Sequence, residues 1–259
     1  MAHAPGMTSA NQFGEKPFPG FEPDFQVIPA KPPSKEPHYH NHRARLRARF
    51  MSAGAVALAD YEMLELVLFR AIPRRDVKPL GKRLLAEFGD FNGVISASAM
   101  RLTQVQGVGD AVVQELKIVE AAAQMLAQAK VLGKDVVSSW SQLMSYCKTV
   151  MAHRDTEQFR VLFLDRKNTL IADEAQAQGT IDHVPVYPRE VAKRALELNA
   201  TAVILVHNHP SGDPSPSQED IEMTQKIIAA TGALGITVHD HIVIGKESDT
   251  SFRSAGLLG

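Results

Sequence analysis

Two histidines stand one residue apart at the end of an apolar run, in the stretch AVILVHNHPSGDPSPSQED over residues 202–220. Side chains two positions apart in a strand point to the same face, so we expect His207 and His209 to lie side by side. The prolines and glycine that follow turn the chain back, which lets Asp220 in the first turn of the next helix reach the same point. Two imidazoles and one carboxylate, with a fourth position left open, are the ligand set of a catalytic zinc site.

Helix capping offers a second explanation for the residues from 215 onward. Ser217 and Asp220 have the S-x-x-D spacing of a capping box, and Ser215 before Pro216 is an equally good cap with proline at the first helical position. A cap leaves the two histidines unexplained, and paired imidazoles at a buried strand end need polar partners. The spacing therefore favours a metal site, with a helix start alone as the alternative.

The elements that would hold these side chains alternate between strands and helices from residue 138 to the C-terminus. EQFRVLFLD and NTLIADEAQAQGT are typical of strands joined into a hairpin by a DRKN turn, and TAVILVHNH and ITVHDHIVIG of two further strands. Helical patterns occur in SWSQLMSYCKTVMAHR, YPREVAKRALELNA and SPSQEDIEMTQKIIAATGALG. The predicted fold class of residues 138–259 is α/β, a mixed β-sheet flanked by helices.

The chain before residue 138 lacks strand-like runs. Residues 1–37 hold roughly half of the 15 prolines and have no helical or alternating period, which predicts a disordered leader. Residues 38–132 are predicted to form a small all-α domain. In it DYEMLELVLFRAI would be a helix with Asp60 as N-cap, and DVKPLGKRLLAEFG a helix closed by Gly89.

The segment LTQVQGVGDAVVQELKIV, residues 102–119, has the helix, Gly-Val-Gly turn and helix layout of a helix-hairpin-helix motif. Gly107 and Gly109 remove side chains from the turn, so backbone N–H groups of the next helix could face a DNA phosphate. Arg43, Arg45 and Arg47 would add positive charge upstream. The alternative is a helical hairpin that packs for structural reasons alone.

Net charge, cysteine count and the length of apolar runs exclude several classes of protein. A formal net charge of -1 makes the chain neither a general polyanion binder nor an acidic scaffold, so DNA contact must come from a local patch. Cys147 is the single cysteine, which excludes an internal disulfide and a four-cysteine zinc cluster. No run approaches the roughly 18 apolar residues of a membrane span, and no signal-like apolar core stands at the N-terminus. We therefore expect a cytoplasmic protein without a membrane partner.

The string HNHPSGDPSPSQED matches H-x-H-P-(six residues)-S-x-x-D, the signature of the JAMM or MPN+ zinc peptidases, at every specified position. Together with FRVLFLDRKNTLIADE and GTIDHVPVYPREVAKRAL, it resembles the bacterial RadC family from about residue 40 to the C-terminus. The resemblance implies an MPN-type domain in which His207, His209 and Asp220 bind one Zn²⁺ per chain. It also implies an N-terminal domain of the helix-hairpin-helix kind.

The same resemblance implies a metallopeptidase or isopeptidase that hydrolyses an amide bond in an unknown peptide or protein substrate. Glu157, at the start of EQFRVLFLD, would take a proton from zinc-bound water and return it to the leaving amine, and Ser217 would help to hold the oxyanion. Glu174 is the reserve candidate for the general base. Two other functions stay open. One is a DNA-binding, repair- or recombination-associated protein that uses the MPN domain as a scaffold, and the other is an interaction adaptor whose metal braces the loop.

The other histidine clusters of the sequence are weaker candidates for a catalytic or metal site. The letters HNH suggest HNH nucleases, but the histidines of those enzymes lie far apart in a ββα unit. His239 and His241 in VHDHIV would share one face of a strand, and because no S-x-x-D follows them, a structural role or contact with the metal ligands is favoured. His38, His40 and His42 stand where the leader ends and are interpreted as a solvated basic junction.

Overall fold

The computed structural model describes residues 38–178 and 186–258; the predicted leader lies outside the described residues, as do the side chains of residues 38–40, 177 and 178. The N-terminal part is helical and comprises α1 His38–Ala53, α2 Asp60–Ala71, α3 Lys78–Phe88, α4 Phe91–Ser96, α5 Ala99–Gln104 and α6 Asp110–Gln128. The apolar faces of these helices share one core. Its fully buried members include Leu64, Leu68, Leu84, Leu102 and Leu116.

Side-chain caps and a glycine set several helix boundaries. Asp90 and Ser98 precede α4 and α5, and each side chain accepts a hydrogen bond from the backbone N–H three residues on. Gly89, with a φ of 91°, ends α3 as the sequence predicted. The predicted N-cap of α2 is wrong. Ala59 takes that position, and the Asp60 carboxylate instead accepts a hydrogen bond from the first backbone N–H of α4 at 3.0 Å.

The C-terminal part is a mixed sheet with helices. Its elements are α7 Trp140–Met151, β1 Gln158–Leu164, β2 Leu170–Gln178, α8 Pro188–Glu197, β3 Ala202–Asn208, α9 Gln218–Gly232, β4 Thr237–Ile244 and β5 Asp249–Ser251. The strand order is β2-β1-β3-β4-β5, with β3 and β4 parallel and the other neighbours antiparallel. The predicted mixed α/β class is therefore confirmed. A parallel pair needs a crossover, and α9 supplies it.

Helices cover both faces of the sheet. On one face α7 packs over Ile204 and Ile242, and on the other α8 and α9 pack over Phe163 and Leu205. Because alternate residues of β3 enter two different cores, the strand is buried along its whole length. The odd-numbered residues of β3 face α8 and α9, and the candidate site lies at the end of that face.

From residue 39 onward, the described residues form one compact unit, in which α6 packs against α7. The division into domains at 38–132 and 138–259 stays a prediction. Among the described helices, none combines the length and the apolar character that crossing a membrane requires.

Candidate metal centre

The sheet positions the two histidines of the motif. His207 lies on β3 and is fully buried, and its ring stacks on that of Phe159 of β1 at a centroid separation of 6.1 Å. His209 directly follows the strand and is half-buried. Its N–H donates to the carbonyl oxygen of Ile244 at 3.0 Å, so β4 holds the backbone at this point as well.

The loop between β3 and α9 fixes the orientation of the His209 ring. Gly212 turns the loop with a φ of 91°, and its N–H donates to the His209 carbonyl at 2.9 Å. Nδ1 of His209 lies 2.8 Å from the carbonyl oxygen of Asp213. Because a carbonyl oxygen can only accept, Nδ1 carries a hydrogen, and a neutral His209 presents the lone pair of Nε2 to the site.

Ligand atoms of three residues converge on one point. The Nε2 atoms of His207 and His209 are 2.9 Å apart. Asp220, in the first turn of α9, places Oδ1 3.2 Å from Nε2 of His207 and Oδ2 3.5 Å from Nε2 of His209. One ligand atom from each residue lies within 4.8 Å of the others. The structure thus brings together the three residues that the sequence singled out as metal ligands.

Acceptor atoms this close together require a positive charge among them. Burial alone raises the pKa of the Asp220 carboxyl, but the interactions of its oxygens with the imidazoles of His207 and His209 outweigh burial and hold that pKa far below its ordinary value. The hydrogen bond with Asp220 in turn raises the pKa of His209. Two imidazole nitrogens and a carboxylate oxygen form the donor set of a catalytic zinc centre, so the residues fit such an ion.

The capping box that was the alternative explanation is present too. Ser217 is the N-cap of α9, and its Oγ accepts a hydrogen bond from the Asp220 N–H at 3.1 Å. Oδ2 of Asp220 accepts hydrogen bonds from Ser217 N at 2.8 Å and from Ser217 Oγ at 2.7 Å. The two explanations do not compete, because the cap holds Oδ2 and thereby aims the carboxylate at the histidines. Ser217 itself is exposed.

Glu157 directly precedes β1 and is half-buried. In the antiparallel pairing of β1 with β3, Phe159 lies opposite His207, so the next pair along the same face sets Glu157 beside His209. Besides Asp220, the negative charge of Glu157 contributes to the raised pKa of His209, which agrees with this placement. The candidate general base and the candidate ligands therefore share one end of the sheet.

Glu174, the reserve candidate, lies on β2 opposite Val161 of β1. Arg194 of α8 donates to both oxygens of this carboxylate at 2.6 to 3.0 Å, and these bonds lower the pKa of Glu174. A carboxylate engaged by a guanidinium is a weak proton acceptor. The geometry therefore favours Glu157.

Asn208, which sequence reasoning does not single out, is buried and stands between the two histidines in the sequence. Its Oδ1 accepts a hydrogen bond from Gln158 N at 3.0 Å, and its Nδ2 donates to the Thr156 carbonyl at 3.2 Å. Asn208 thereby holds the backbone on both sides of Glu157. An amide on a buried strand was a signal for such a role, but the strand register was needed to find its partners.

His239 and His241 do not share a face, which corrects the sequence prediction. The register of β4 with β3 shifts by one residue between Val203 and Ile204, so His239 is left without a partner in β3. Nε2 of His239 lies 2.7 Å from Asn168 Oδ1 on the α7 side of the sheet. His241 faces the opposite side, fully buried, with Nε2 2.8 Å from Nδ1 of His207. Burial, followed by the proximity of His207, keeps the pKa of His241 well below its ordinary value.

Comparisons with known proteins identify relatives over most of this chain. A family model described as RadC-like JAB domain matches residues 137–257, and one described as UPF0758 N-terminal matches residues 39–114. A UPF0758 protein of Ruegeria pomeroyi is 65% identical over 221 residues, which cover 85% of this chain and 99% of that relative. One of Rhodobacter capsulatus is 68% identical over 213 residues, which cover 82% of this chain and 100% of the relative. This chain belongs to the UPF0758 family. The resemblance to RadC seen in the sequence is confirmed.

The UPF0758 N-terminal region contains the predicted helix, glycine turn and helix. α5 and α6 flank the turn, in which Gly107 has a φ of 98° and Gly109 is the N-cap of α6. Both glycines are exposed. A Cβ on Gly107 would lie 3.1 Å from Nη2 of Arg83, and Nε of Arg83 donates to the Gln106 carbonyl at 3.2 Å. A guanidinium therefore stands at the turn of this UPF0758 hairpin.

The basic residues of α1 differ in exposure. Arg43 is 8% exposed and donates to three backbone carbonyls of the loop between α2 and α3 at 2.5 to 2.7 Å. Because these donors point into the protein, Arg43 is withdrawn from the candidate DNA contacts. Arg45 and Arg47 are exposed. His42 is not merely solvated, since its Nε2 lies 2.7 Å from Oε2 of the buried Glu65.

Proposed function

We propose that this chain is a zinc-dependent hydrolase of the JAMM type that cleaves an amide bond in a peptide or protein. His207, His209 and Asp220 would hold one Zn²⁺ per chain. The proposal is supported by one observation above all, the convergence of two Nε2 atoms and a carboxylate beside Glu157 at the end of a buried strand. The group found among the described residues has three ligands, whereas a structural zinc site is closed by four.

Glu157 and Ser217 would have different roles in the proposed hydrolysis. A zinc ion at such a site lowers the pKa of a water molecule to about 7 and polarises a carbonyl group. Glu157 accepts the proton that the attacking water releases and returns it to the leaving amine. Ser217 donates its hydroxyl hydrogen to the carbonyl oxygen as negative charge develops there. That hydrogen is directed at Asp220 Oδ2 in the structure, so the hydroxyl must rotate, while Oγ still accepts from the Asp220 N–H.

Metal analysis of the purified full-length chain tests the binding half of the proposal. We expect about one zinc per chain in the wild type and a loss of that zinc in His209→Ala and Asp220→Ala. His239→Ala is the matched control, because His239 lies on the other side of the sheet and should leave the zinc content unchanged. Zinc that is far below one per chain in the wild type, or equally present in His209→Ala, would contradict the proposed site.

An unbiased screen of peptides and of isopeptide-linked chains tests the hydrolytic half. The zinc-loaded wild type should cleave at least one class of amide, and Glu157→Gln should keep the zinc but lose most of the turnover, by about 10²- to 10⁴-fold. Glu174→Gln is the control, because its carboxylate is bound by Arg194. Full activity in Glu157→Gln with loss in Glu174→Gln would reverse the assignment of the general base.

A second function, binding of the DNA backbone, is supported by the exposed turn before α6 with Arg83 at its side. Backbone N–H groups at a helix start, aided by a nearby guanidinium, suit a phosphate and carry no sequence preference. We expect weak duplex binding that declines steeply with salt, because phosphate contacts release counterions. Arg83→Glu and Arg45→Glu should weaken it, whereas Arg189→Glu on the exposed start of α8 should not. Equal binding by all variants would exclude this surface.

A further inference from the structure

A buried chain of hydrogen bonds joins the two elements that carry the proposed ligands. Nδ1 of His207 lies 2.8 Å from Nε2 of His241, and Nδ1 of His241 lies 2.6 Å from Oγ1 of Thr224 on α9. Oγ1 of Thr224 lies 2.6 Å from the backbone carbonyl oxygen of Asp220. His207, His241 and Thr224 are 0% exposed, so the chain runs from one ligand residue to another without contact with solvent.

The Asp220 carbonyl fixes the direction of this chain. A carbonyl oxygen can only accept, so the single hydroxyl hydrogen of Thr224 is donated to Asp220. Oγ1 must then accept a hydrogen from Nδ1 of His241, which leaves the lone pair of a neutral His241 on Nε2. His207 consequently donates from Nδ1, and the lone pair of its Nε2 points towards His209 and Asp220.

Aromatic packing restricts His241 to these two partners. The ring centroid of His241 lies 4.5 Å from that of Phe252 and 5.5 Å from that of Phe159. Within the described part of the chain, the hydrogen-bond partners of its ring nitrogens are His207 and Thr224. Because this imidazole is fully buried and packed against two phenylalanines, its tautomer is set by its two hydrogen-bond partners, His207 and Thr224.

We propose that His241 and Thr224 are positioning residues that set the zinc affinity of this site, because they hold His207 in the tautomer that offers Nε2 to the metal. The inference rests on the zinc site proposed above, and it adds two residues that touch no metal. Hydrogen-bond partners of this kind change metal affinity by about 10- to 100-fold. The same hydrogen bonds also connect α9, which carries Asp220, to β3, which carries His207.

The test compares zinc dissociation constants of full-length variants, measured by competition with a chromophoric chelator. Thr224→Val keeps a similar shape but removes the hydroxyl, so Nδ1–H of His241 loses its acceptor. The opposite direction of the remaining hydrogen bond is then favoured, in which Nε2 of His241 donates to Nδ1 of His207. His207 would then carry its hydrogen on Nε2. We expect Thr224→Val to weaken zinc binding about 10- to 100-fold. Thr224→Ser keeps the hydroxyl and should bind zinc with close to the wild-type affinity.

Two further readouts separate positioning from general loss of structure. Urea unfolding of the metal-free proteins reports on packing, and a purely structural role would lower stability in Thr224→Val while leaving its zinc dissociation constant unchanged. Long-range ¹H–¹⁵N spectra of the zinc-loaded wild type report the tautomers directly. We expect both His207 and His241 to carry their hydrogen on Nδ1, and a hydrogen on Nε2 of His241 would overturn the inference without any variant.

The outcomes also separate this inference from the proposed function. A wild type that binds zinc, with Thr224→Val binding it equally well, would overturn the positioning role and leave the hydrolase intact. A wild type that binds no zinc would overturn both. Weakened zinc binding in Thr224→Val, in a wild type that cleaves no amide, would support the positioning role and count against the hydrolase alone.

Discussion

Asn208 anchors the backbone on either side of Glu157, accepting a hydrogen bond from Gln158 N at 3.0 Å and donating to the Thr156 carbonyl at 3.2 Å. Asn208→Ala leaves both backbone groups without these partners in a buried place, so we expect the free energy of unfolding to decrease by about 1–3 kcal/mol. The segment that carries Glu157 should loosen, which amide hydrogen exchange at Gln158 measures. The zinc content should not change, because the ligand side chains keep their own contacts.

Asn92→Ala is the control for this prediction. Asn92 is exposed on α4, and its replacement should alter the free energy of unfolding by less than about 0.5 kcal/mol. If Asn208→Ala matched that control in stability and in the exchange rate of Gln158, the amide would have no anchoring role.

Gly245 sets how closely the end of β4 approaches the histidine loop. A Cβ at this position would clash with the carbonyl oxygen of Gly212, so Gly245→Ala must displace one of the two backbones. His209 N donates to the carbonyl oxygen of Ile244, the residue before Gly245, so a displaced backbone would move His209. We therefore expect zinc binding to weaken by about tenfold or more, equivalent to about 1.4 kcal/mol. Overpacking should also lower the free energy of unfolding by about 1–3 kcal/mol.

Gly232→Ala provides the matched comparison, because nothing lies within 4 Å of a Cβ built on Gly232 at the end of α9. Alanine is the better helix former by about 0.5–1 kcal/mol, so this variant should be as stable as the wild type or more so, with unchanged zinc affinity. Equal zinc affinity in the two alanine variants would show that the close approach at Gly245 does not position the ligands.

The convergence of His207, His209 and Asp220 could be predicted from the sequence because each step obeys a local rule. Alternation along a strand places His207 and His209 on one face, and a helix start after a proline-rich loop places Asp220 within reach. The mixed α/β class follows from the same periodic patterns. Glu157 has no local signature, since a carboxylate before a strand is usually solvated. Its position beside His209 depends on the register of β1 with β3.

Other features of the site depend on packing that no local pattern encodes. A bulge in β4 separates His239 from His241, and a bulge adds one residue without a strong sequence signal. Arg43 belongs to a run of arginines typical of a solvated surface, yet the loop between α2 and α3 folds over its guanidinium. The role of Thr224 is equally hidden, because its partner on β4 is seventeen residues away along the chain.

If the site binds zinc as proposed, zinc should stabilise the folded chain by an amount that grows with the logarithm of the free zinc concentration divided by the dissociation constant. With free zinc at about 100 times the dissociation constant, linkage predicts about 2.7 kcal/mol of added stability. For a chain of this size we expect the melting temperature to rise by roughly 5–10 °C, as measured by differential scanning calorimetry with and without a chelator. His209→Ala should show no such shift. An equal shift in that variant would place the binding outside the group formed by His207, His209 and Asp220.

We expect Arg43 to contribute to folding rather than to DNA binding. Its guanidinium donates to three backbone carbonyls and lies 4.4 Å above the centroid of the Phe69 ring. Arg43→Ala leaves those carbonyls without charged donors, and we expect the free energy of unfolding to decrease by about 2–4 kcal/mol. Arg45→Ala, at an exposed position on the same helix, should change it by less than about 0.5 kcal/mol. Urea denaturation of the two variants decides the matter, and equal stabilities would contradict the structural role.

The reactivity of the Cys147 thiol measures how readily α7 separates from the sheet. The thiol is buried in the core on that face, and burial raises its pKa far above the ordinary value, so almost none of it is the reactive thiolate near neutral pH. We expect the folded chain to resist iodoacetamide at pH 8 and to take up one equivalent when unfolded, because Cys147 is the only cysteine. Thr149→Cys places a second thiol at an exposed position of the same helix, and that variant should take up one equivalent while folded. Rapid labelling of the folded wild type would mean that α7 detaches from the sheet readily, and the face opposite the metal centre would then be far less stable than its packing indicates.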